Sequence, residues 1–355
     1  MSIVTPQIDI TFKQLASTAI ERSARGVVCV VFNDAVSEIE VKELHELNDL
    51  DSATYSSVNY QAVVDAFLGS PSKVYTVAIP TSDSFADAKA TLDTLKFNYL
   101  CYLSATNQAS VATYVKDFNK NSKTRRIKGV VFANAADDDH VINFTNTKVT
   151  RLTGGEVNGN EYLARVAGLL AGMPFSRTST YYLLKDLKSV VEPSDVDAAV
   201  SDGEFVIIND YGEVKVARGV NSLQTLPEKV KSEEFKKIAI IDGADTVLED
   251  IASAFQSDYI GKFKNSLDNQ MLLVANINEY LLQLAKEEVL DVDFDNHVEI
   301  DIEAQRAAWV AYGKTEAQTW DDELVMKSPF GSQVFLKGNL KFLDGMEDVT
   351  IVFSV

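Results

Sequence analysis

The stretch TGGEVNGNEY (residues 153–162) sets three glycines ahead of a helical run. That arrangement lets backbone N–H groups hold a phosphate at a helix N-terminus. No Lys followed by Ser or Thr opens the helix, so the loop is not a Walker A motif, and its spacing departs from G-x-G-x-x-G. Gly154, Gly155 and Gly159 read better as a tight turn that permits close helix packing. A cytoplasmic α/β nucleotide-binding protein or enzyme using the Gly154 to Gly159 loop stands as the alternative. In DVDFDNHVEIDIE, Asp291, Asp293 and Asp295 alternate as the first ligands of a calcium loop do. Asn296 stands where that loop requires Gly and Ile302 where it requires Glu, so the segment reads as a strand with a wet face.

The three histidines, His45, His140 and His297, have no metal-ligand spacing. His45 in KELHELND reads as a surface helix position, and His140 after ADDD as a solvated turn rather than a carboxylate–imidazole metal site. No serine lies in G-x-S-x-G. Cys29 and Cys101 sit inside apolar runs and read as buried, reduced thiols, consistent with a reducing cytoplasm. Together these patterns point away from an enzyme, and no catalytic, cofactor-binding or metal-binding residue is expected.

Any such residues would need a scaffold, and 355 residues suffice for two or three domains. The formal net charge of −19 argues against a nucleic-acid partner, because phosphate contacts need clustered Lys and Arg. The one basic cluster, KTRRIK (residues 123–128), reads as a solvated strand entry. No run approaches the ~20 consecutive apolar residues that span a bilayer, so no direct membrane insertion is expected. The opening MSIVTPQIDITF lacks the features of a signal peptide.

Strand and helix patterns alternate through the first half. GVVCVVF, KVYTVAI, NYLCYLS and IKGVVFA read as buried strands, separated by helical VNYQAVVDAFLG, SFADAKATLDTL and QASVATYVKDF. Ser84 with Asp87 reads as a capping box. Continuous apolar strands alternating with helices imply an open α/β sheet covered on both faces. Further on, NEYLARVAGLLAGM is a helix with small residues for close packing, and EFVIINDYGEVKVARG a hairpin turning at residues 209–212. KIAIID reads as a strand, Thr246 with Glu249 as the cap of a long helical region, and Gly261 as its break. HVEIDI, QVFLKGNLKFL and VTIVFSV return to strands. The linker-like stretches are residues 137–153 and 225–234.

Both ends are amphipathic strands. Val349, Ile351, Phe353 and Val355 share one face of the last, and Ile8, Ile10 and Phe12 one face of the first. Each either closes an edge of its own domain or adds a strand to a neighbour's sheet. Pattern alone leaves both open.

The opening IDITFKQLASTAIERSARGVV resembles that of contractile-tail sheath proteins of Gram-positive phages. The resemblance continues through TGGEVNGNEYLARVAGLLAGMPFSRTSTYYLL, GEFVIINDYGEVKVARGVNSLQT, YIGKFKNSLDNQMLLVANINEYLLQLAKEEVL and GNLKFLDGMEDVTIVFSV, in order, over most of the chain. The chain is equally similar to the sheaths of phage-tail-like bacteriocins of the diffocin type. The resemblance implies an α/β, multidomain fold: an N-terminal open α/β sheet domain and a C-terminal α+β domain, with extended N- and C-terminal β-strand arms. The implied divisions are 1–25 (arm and spacer), 26–150, 151–343 and 344–355 (C-terminal arm). It implies a structural subunit polymerising as stacked hexameric rings around a tail tube. The terminal strands would be donated to neighbours, and contraction would drive the tube through a bacterial envelope. Asp344, Gly345, Glu347 and Asp348 would form a flexible link into the C-terminal arm, and QVFLKGNLKFL with HVEIDI the receiving sheet. Lys262 and Lys264, on a helix in DYIGKFKNSLDNQ, would face an acidic tube, unless they are ordinary solvated lysines. Implied partners are further copies, the tube protein, and baseplate and tail-terminator proteins, in a virion or tail-like particle assembled in the bacterial cytoplasm.

Overall fold

GVVCVVF becomes the middle of a parallel sheet because its side chains are apolar on both faces and need cover on both. In the computed structural model, which describes residues 26–226 and 232–354, this run is β1 (Val27–Asp34). There follow β2 (Glu40–Leu44), α1 (Ser57–Phe67), β3 (Lys73–Pro80), α2 (Phe85–Leu92), β4 (Tyr99–Tyr102), α3 (Gln108–Asn121), β5 (Lys128–Phe132) and β6 (Val141–Phe144). Next come β7 (Lys148–Arg151), β8 (Glu156–Asn158), α4 (Leu163–Ala171), β9 (Leu187–Val190), α5 (Val196–Ser201) and β10 (Glu204–Phe205). The sheet runs β10-β6-β5-β4-β1-β3-β2, parallel except for the antiparallel edge strand β2. Val28, Val30 and Phe32 enter one core with α1 and α4, while Val27, Cys29 and Val31 enter the other with α2 and α3. Both cysteines are buried and free.

The Ser84–Asp87 capping box opens α2 as expected, with Ser84 N–H donating to Asp87 at 2.8 Å. The small residues of α4 serve close packing. A Cβ on Gly168 would lie 2.1 Å from the Ala66 carbonyl oxygen of α1, and one on Gly159 would lie 2.0 Å from that of Asn146. β11 (Ile207–Asp210) and β12 (Glu213–Val216) form the expected hairpin, with Tyr211 and Gly212 at φ of 48° and 87°.

Four expectations are corrected here. KELHELND does not put His45 on a surface helix: β2 pairs with β3, His45 follows it in a bend, and the only helical part is the short 3-10 turn Leu47–Asp49, because sheet-edge pairing overrides local propensity. The stretch 137–153 is not a linker but carries β6 and β7, and β7 runs across the expected 150/151 boundary. Its acidic turn is tied down, since Asp137 accepts from the N–H groups of Gln224 and Thr225. KIAIID opens α6 (Ile238–Ala254) rather than forming a strand, because a short apolar run fits either period. Thr246 therefore sits inside that helix, its hydroxyl donating to the Asp242 carbonyl at 2.7 Å, and caps nothing.

The described residues fall into two compact units. The larger takes residues 26–226, 232–252, 287–291 and 342–354. The smaller takes residues 253–286 and 292–341, with α7 (Leu267–Lys286), β13 (His297–Ile300), α8 (Ile302–Ala311), α9 (Asp322–Met326) and β14 (Leu336–Asn339). Gly261, at φ +76°, breaks the helical region as expected. Among the described residues no helix is long and apolar enough to cross a membrane.

Candidate assembly interface

The segment VTIVFSV carries the period-two pattern of a strand, yet residues 343–354 hold no strand ladder among the described residues. Val349, Ile351 and Phe353 are 84, 65 and 81% exposed; Val355 lies outside the described residues. So does the N-terminal set Ile8, Ile10 and Phe12. Apolar side chains displayed at regular spacing on an unpaired segment mark an interaction surface.

The root of this segment is held, where the sequence led to the expectation of a flexible link. Glu347 is only 5% exposed at its side chain. It accepts hydrogen bonds from the hydroxyls of Thr180 (2.6 Å) and Thr178 (3.2 Å). The same carboxylate pairs with Lys237 Nζ (3.2 Å) and Arg218 Nε (3.4 Å). Asp344 pairs with Lys237, and Asp348 accepts from Arg218 Nη2 at 2.7 Å. A Cβ on Gly345 would lie 2.7 Å from Thr178 Cγ2. Burial alone would depress the Lys237 ammonium, but the bonds to Asp344 and Glu347 outweigh it and raise its pKa. Just upstream, Leu343 N–H donates to the Val289 carbonyl at 3.0 Å. The free part of the segment thus begins after Asp348. The acidic residues are legible in the sequence, but their partners lie over 100 residues away. Thr178, Thr180 and Arg218 fall in the stretches that carry the sheath resemblance, the one pointer the sequence offers to them.

HVEIDI and QVFLKGNLKFL, expected as the receiving sheet, come together in the smaller unit. β13 and β14 pair antiparallel, with Val298 opposite Gly338 and Ile300 opposite Leu336. They form a two-stranded sheet with no further strand among the described residues. Such a ribbon is marginal alone and is supported here by α7, which packs against β13. From α7, Asn278 brackets Val298: its Nδ2 donates to the Val298 carbonyl (3.0 Å) and its Oδ1 accepts from the Val298 N–H (2.7 Å). Sequence patterns gave no reason to single out Asn278.

Lys262 and Lys264 stand exposed in the connection between α6 and α7, not on a helix, because Gly261 interrupts helical geometry there. Lys262 Nζ is 4.0 Å from Asp258. Gly154 and Gly155, both at positive φ, make the hairpin turn between β7 and β8, with Arg151 N–H donating to the Gly155 carbonyl. β8 intervenes before α4, so those two glycines do not present a helix N-terminus.

His140 is not in a solvated turn. It is largely buried, with Nδ1 2.8 Å from Asp139 and Nε2 3.0 Å from Asp245 of α6. Burial would lower its pKa, but the Asp245 charge and both carboxylate bonds raise it to about 9, which makes it an imidazolium. Asp138, Asp139 and His140 offer potential metal ligand atoms within 4.8 Å of one another, but both ring nitrogens already face carboxylates as donors. Lys128, expected at a solvated strand entry, is buried beside the cluster and pairs with Asp245 and with Asp242 (3.0 Å). The network fastens the β5–β6 end of the sheet to α6.

Two parts of the chain match models of phage tail sheath protein domains. Residues 80–222 match the central domain, and residues 230–355 the phage tail sheath C-terminal domain. The tail sheath protein of Clostridium phage phiCD119 is 32% identical over 356 residues, covering 97% of each chain. This chain belongs to the phage tail sheath protein family. The fold agrees. The helical sheath of the anti-feeding prophage in its contracted state superposes with a TM-score of 0.71 at 14% identity, covering 99% of both chains. A sheath tail protein from Desulfitobacterium hafniense gives 0.68 at 15% identity, over 83% of this chain and 94% of that one.

Proposed function

We propose that this chain is the structural subunit of a contractile tail sheath, polymerising as stacked hexameric rings around a tail tube. Contraction to a second packing drives the tube through a bacterial envelope, in a virion or tail-like particle assembled in the bacterial cytoplasm. Neighbours are tied together by terminal strands, residues 349–355 and the N-terminal set Ile8, Ile10 and Phe12. The partners are other copies, the tube, the baseplate and the tail terminator. The observation that carries this reading is the exposed, unpaired alternation of Val349, Ile351 and Phe353 in a chain that also holds a two-stranded sheet. Burying four such side chains gains roughly 6–12 kcal/mol gross. Ordering the backbone and side chains offsets much of it. The anti-feeding prophage baseplate and a contracted extracellular contractile injection system sheath share the fold, which supports assembly of this kind.

Negative-stain electron microscopy of the intact chain beside a variant lacking residues 349–355 tests the reading. Tubes or rings that disappear on truncation support it. Assembly that survives truncation shows that other surfaces hold the lattice.

A further inference from the structure

We propose that the seven-stranded sheets of neighbouring copies meet head to tail, the basic corner of one against the acidic edge strand β2 of the next. The inference rests on the polymerising-subunit reading above and adds which surfaces of the larger unit come together.

In a chain of net charge −19, residues 84–127 hold seven Lys and Arg against three Asp. Five of those cations gather where α2 and α3 end and β5 begins. Arg125 ties the corner together: its Nη1 donates to the Leu95 carbonyl at 3.0 Å, and its guanidinium lies 4.8 Å from the Phe118 ring and 5.9 Å from the Phe97 ring. Arg126 and the exposed Lys96, Lys120 and Lys123 adjoin these contacts in sequence. Lys120 suits the C-terminal end of α3, but Lys96 and Lys123 lie past their helices, where the helix dipole no longer calls for them. Lys120 and Lys123 have no side-chain partner among the described residues. Exposed Asp93 and Asp117 are two charges against five, and Glu249 is buried.

The opposite sign collects on β2 and its flanks. Residues 35–51 hold six Asp and Glu against Lys42. Glu38 and Glu40 are exposed, with no side-chain partner among the described residues, beside a strand that pairs only with β3. Charges on an edge strand block unwanted pairing, but Glu38 precedes the strand and is not needed for that.

Register sets the two patches at diagonally opposite corners of one sheet. Glu40 stands opposite Ala78, which is level with Phe32, towards the C-terminal ends of the parallel strands. Lys128 is level with Tyr99, Val28 and Val74, at their N-terminal ends. Going from β5 to β2 across the sheet, and from Val74 to Ala78 along β3, separates the patches by roughly 20–25 Å. A Debye length at physiological ionic strength is only ~8 Å, so the patches do not satisfy each other within one copy. The occupant of each is therefore a second copy. Two different, complementary surfaces on one sheet make a heterologous contact, which repeats into a ring or a helical array.

Charge exchange in the full-length chain tests this. Lys120→Glu with Lys123→Glu makes both patches acidic, and Glu38→Lys with Glu40→Lys makes both basic. Each double variant alone should need at least about tenfold more protein to polymerise, read by pelleting and negative-stain microscopy. An equimolar mixture of the two should polymerise as the wild type does, because each acidic patch then meets a basic one on the alternate subunit. The fourfold variant should also polymerise by itself. Double variants that assemble like the wild type overturn the inference. So do a mixture and a fourfold variant that stay dispersed while every variant unfolds at the wild-type temperature, since the patches then face something other than each other. No polymer from the wild-type chain removes the polymerising-subunit reading itself.

Discussion

The carboxylate of Glu347 accepts a 2.6 Å hydrogen bond from the hydroxyl of Thr180, across 167 residues of sequence. That bond, with the pairs to Lys237 and Arg218, fixes where the C-terminal segment leaves the larger unit. In a sheath whose subunits change packing, force carried by the segment would pass through this clamp.

Replacing Glu347 by Ala removes the acceptor of the Thr178 and Thr180 hydroxyls, leaving Thr180 only the bond it accepts from Gly219 N–H, and deprives Lys237 and Arg218 of one partner each. Loss of such a buried, hydrogen-bonded carboxylate costs about 1–3 kcal/mol. We expect a lower urea midpoint and faster proteolysis at residues 344–348, with the sheet core retained. Unchanged cleavage there would show that the clamp does not hold the root.

His140 gives a pH dependence with a defined sign. Its pKa rises from an ordinary 6.5 to about 9 in the fold. Its contribution is therefore complete below about 6.5 and fades as pH rises through about 9. His140→Gln should lower stability by on the order of 3 kcal/mol at pH 6. The gap to wild type should close by pH 10. A gap independent of pH would contradict the ion-paired imidazolium.

Gly168 is required by the approach of α4 to α1, where backbone atoms cannot yield. Gly168→Val should destabilise by about 3 kcal/mol. Gly212→Ala, at φ +87° with nothing near its Cβ position, should cost only ~1 kcal/mol. Thermal unfolding of the two variants side by side distinguishes overpacking from backbone strain.

Lys262 and Lys264 are exposed enough to be replaced without unfolding the chain. If they face an acidic tube, Lys262→Glu with Lys264→Glu should abolish co-assembly with the tube protein while sheath polymerisation persists. Co-purification of tube and sheath after co-expression reads this directly, and intact co-assembly would remove the two lysines from the tube surface.

The open sheet was legible because continuous apolar strands such as GVVCVVF leave few alternatives, and the Ser84–Asp87 box marks α2 within a few residues. KIAIID misleads because six residues cannot separate a strand from a buried helical turn. Edge strand β2 is hidden by its charges, which keep an edge from further pairing. The alternation of the last segment and the strand pattern of HVEIDI and QVFLKGNLKFL were legible, whereas their expected roles as arm and receiving sheet came from the resemblance to sheath proteins. The clamp and Asn278 were not legible, since hydrogen bonds between distant residues leave no local period.

The most direct measurement is a helical reconstruction by electron cryomicroscopy of the assembled chain, tracing residues 349–354 from each subunit. Continuous density leaving the Glu347 clamp and running as an added strand on the sheet of a neighbouring subunit is the predicted result. Density that folds back to pair within its own subunit, or a lattice held together with the segment unpaired, would contradict it.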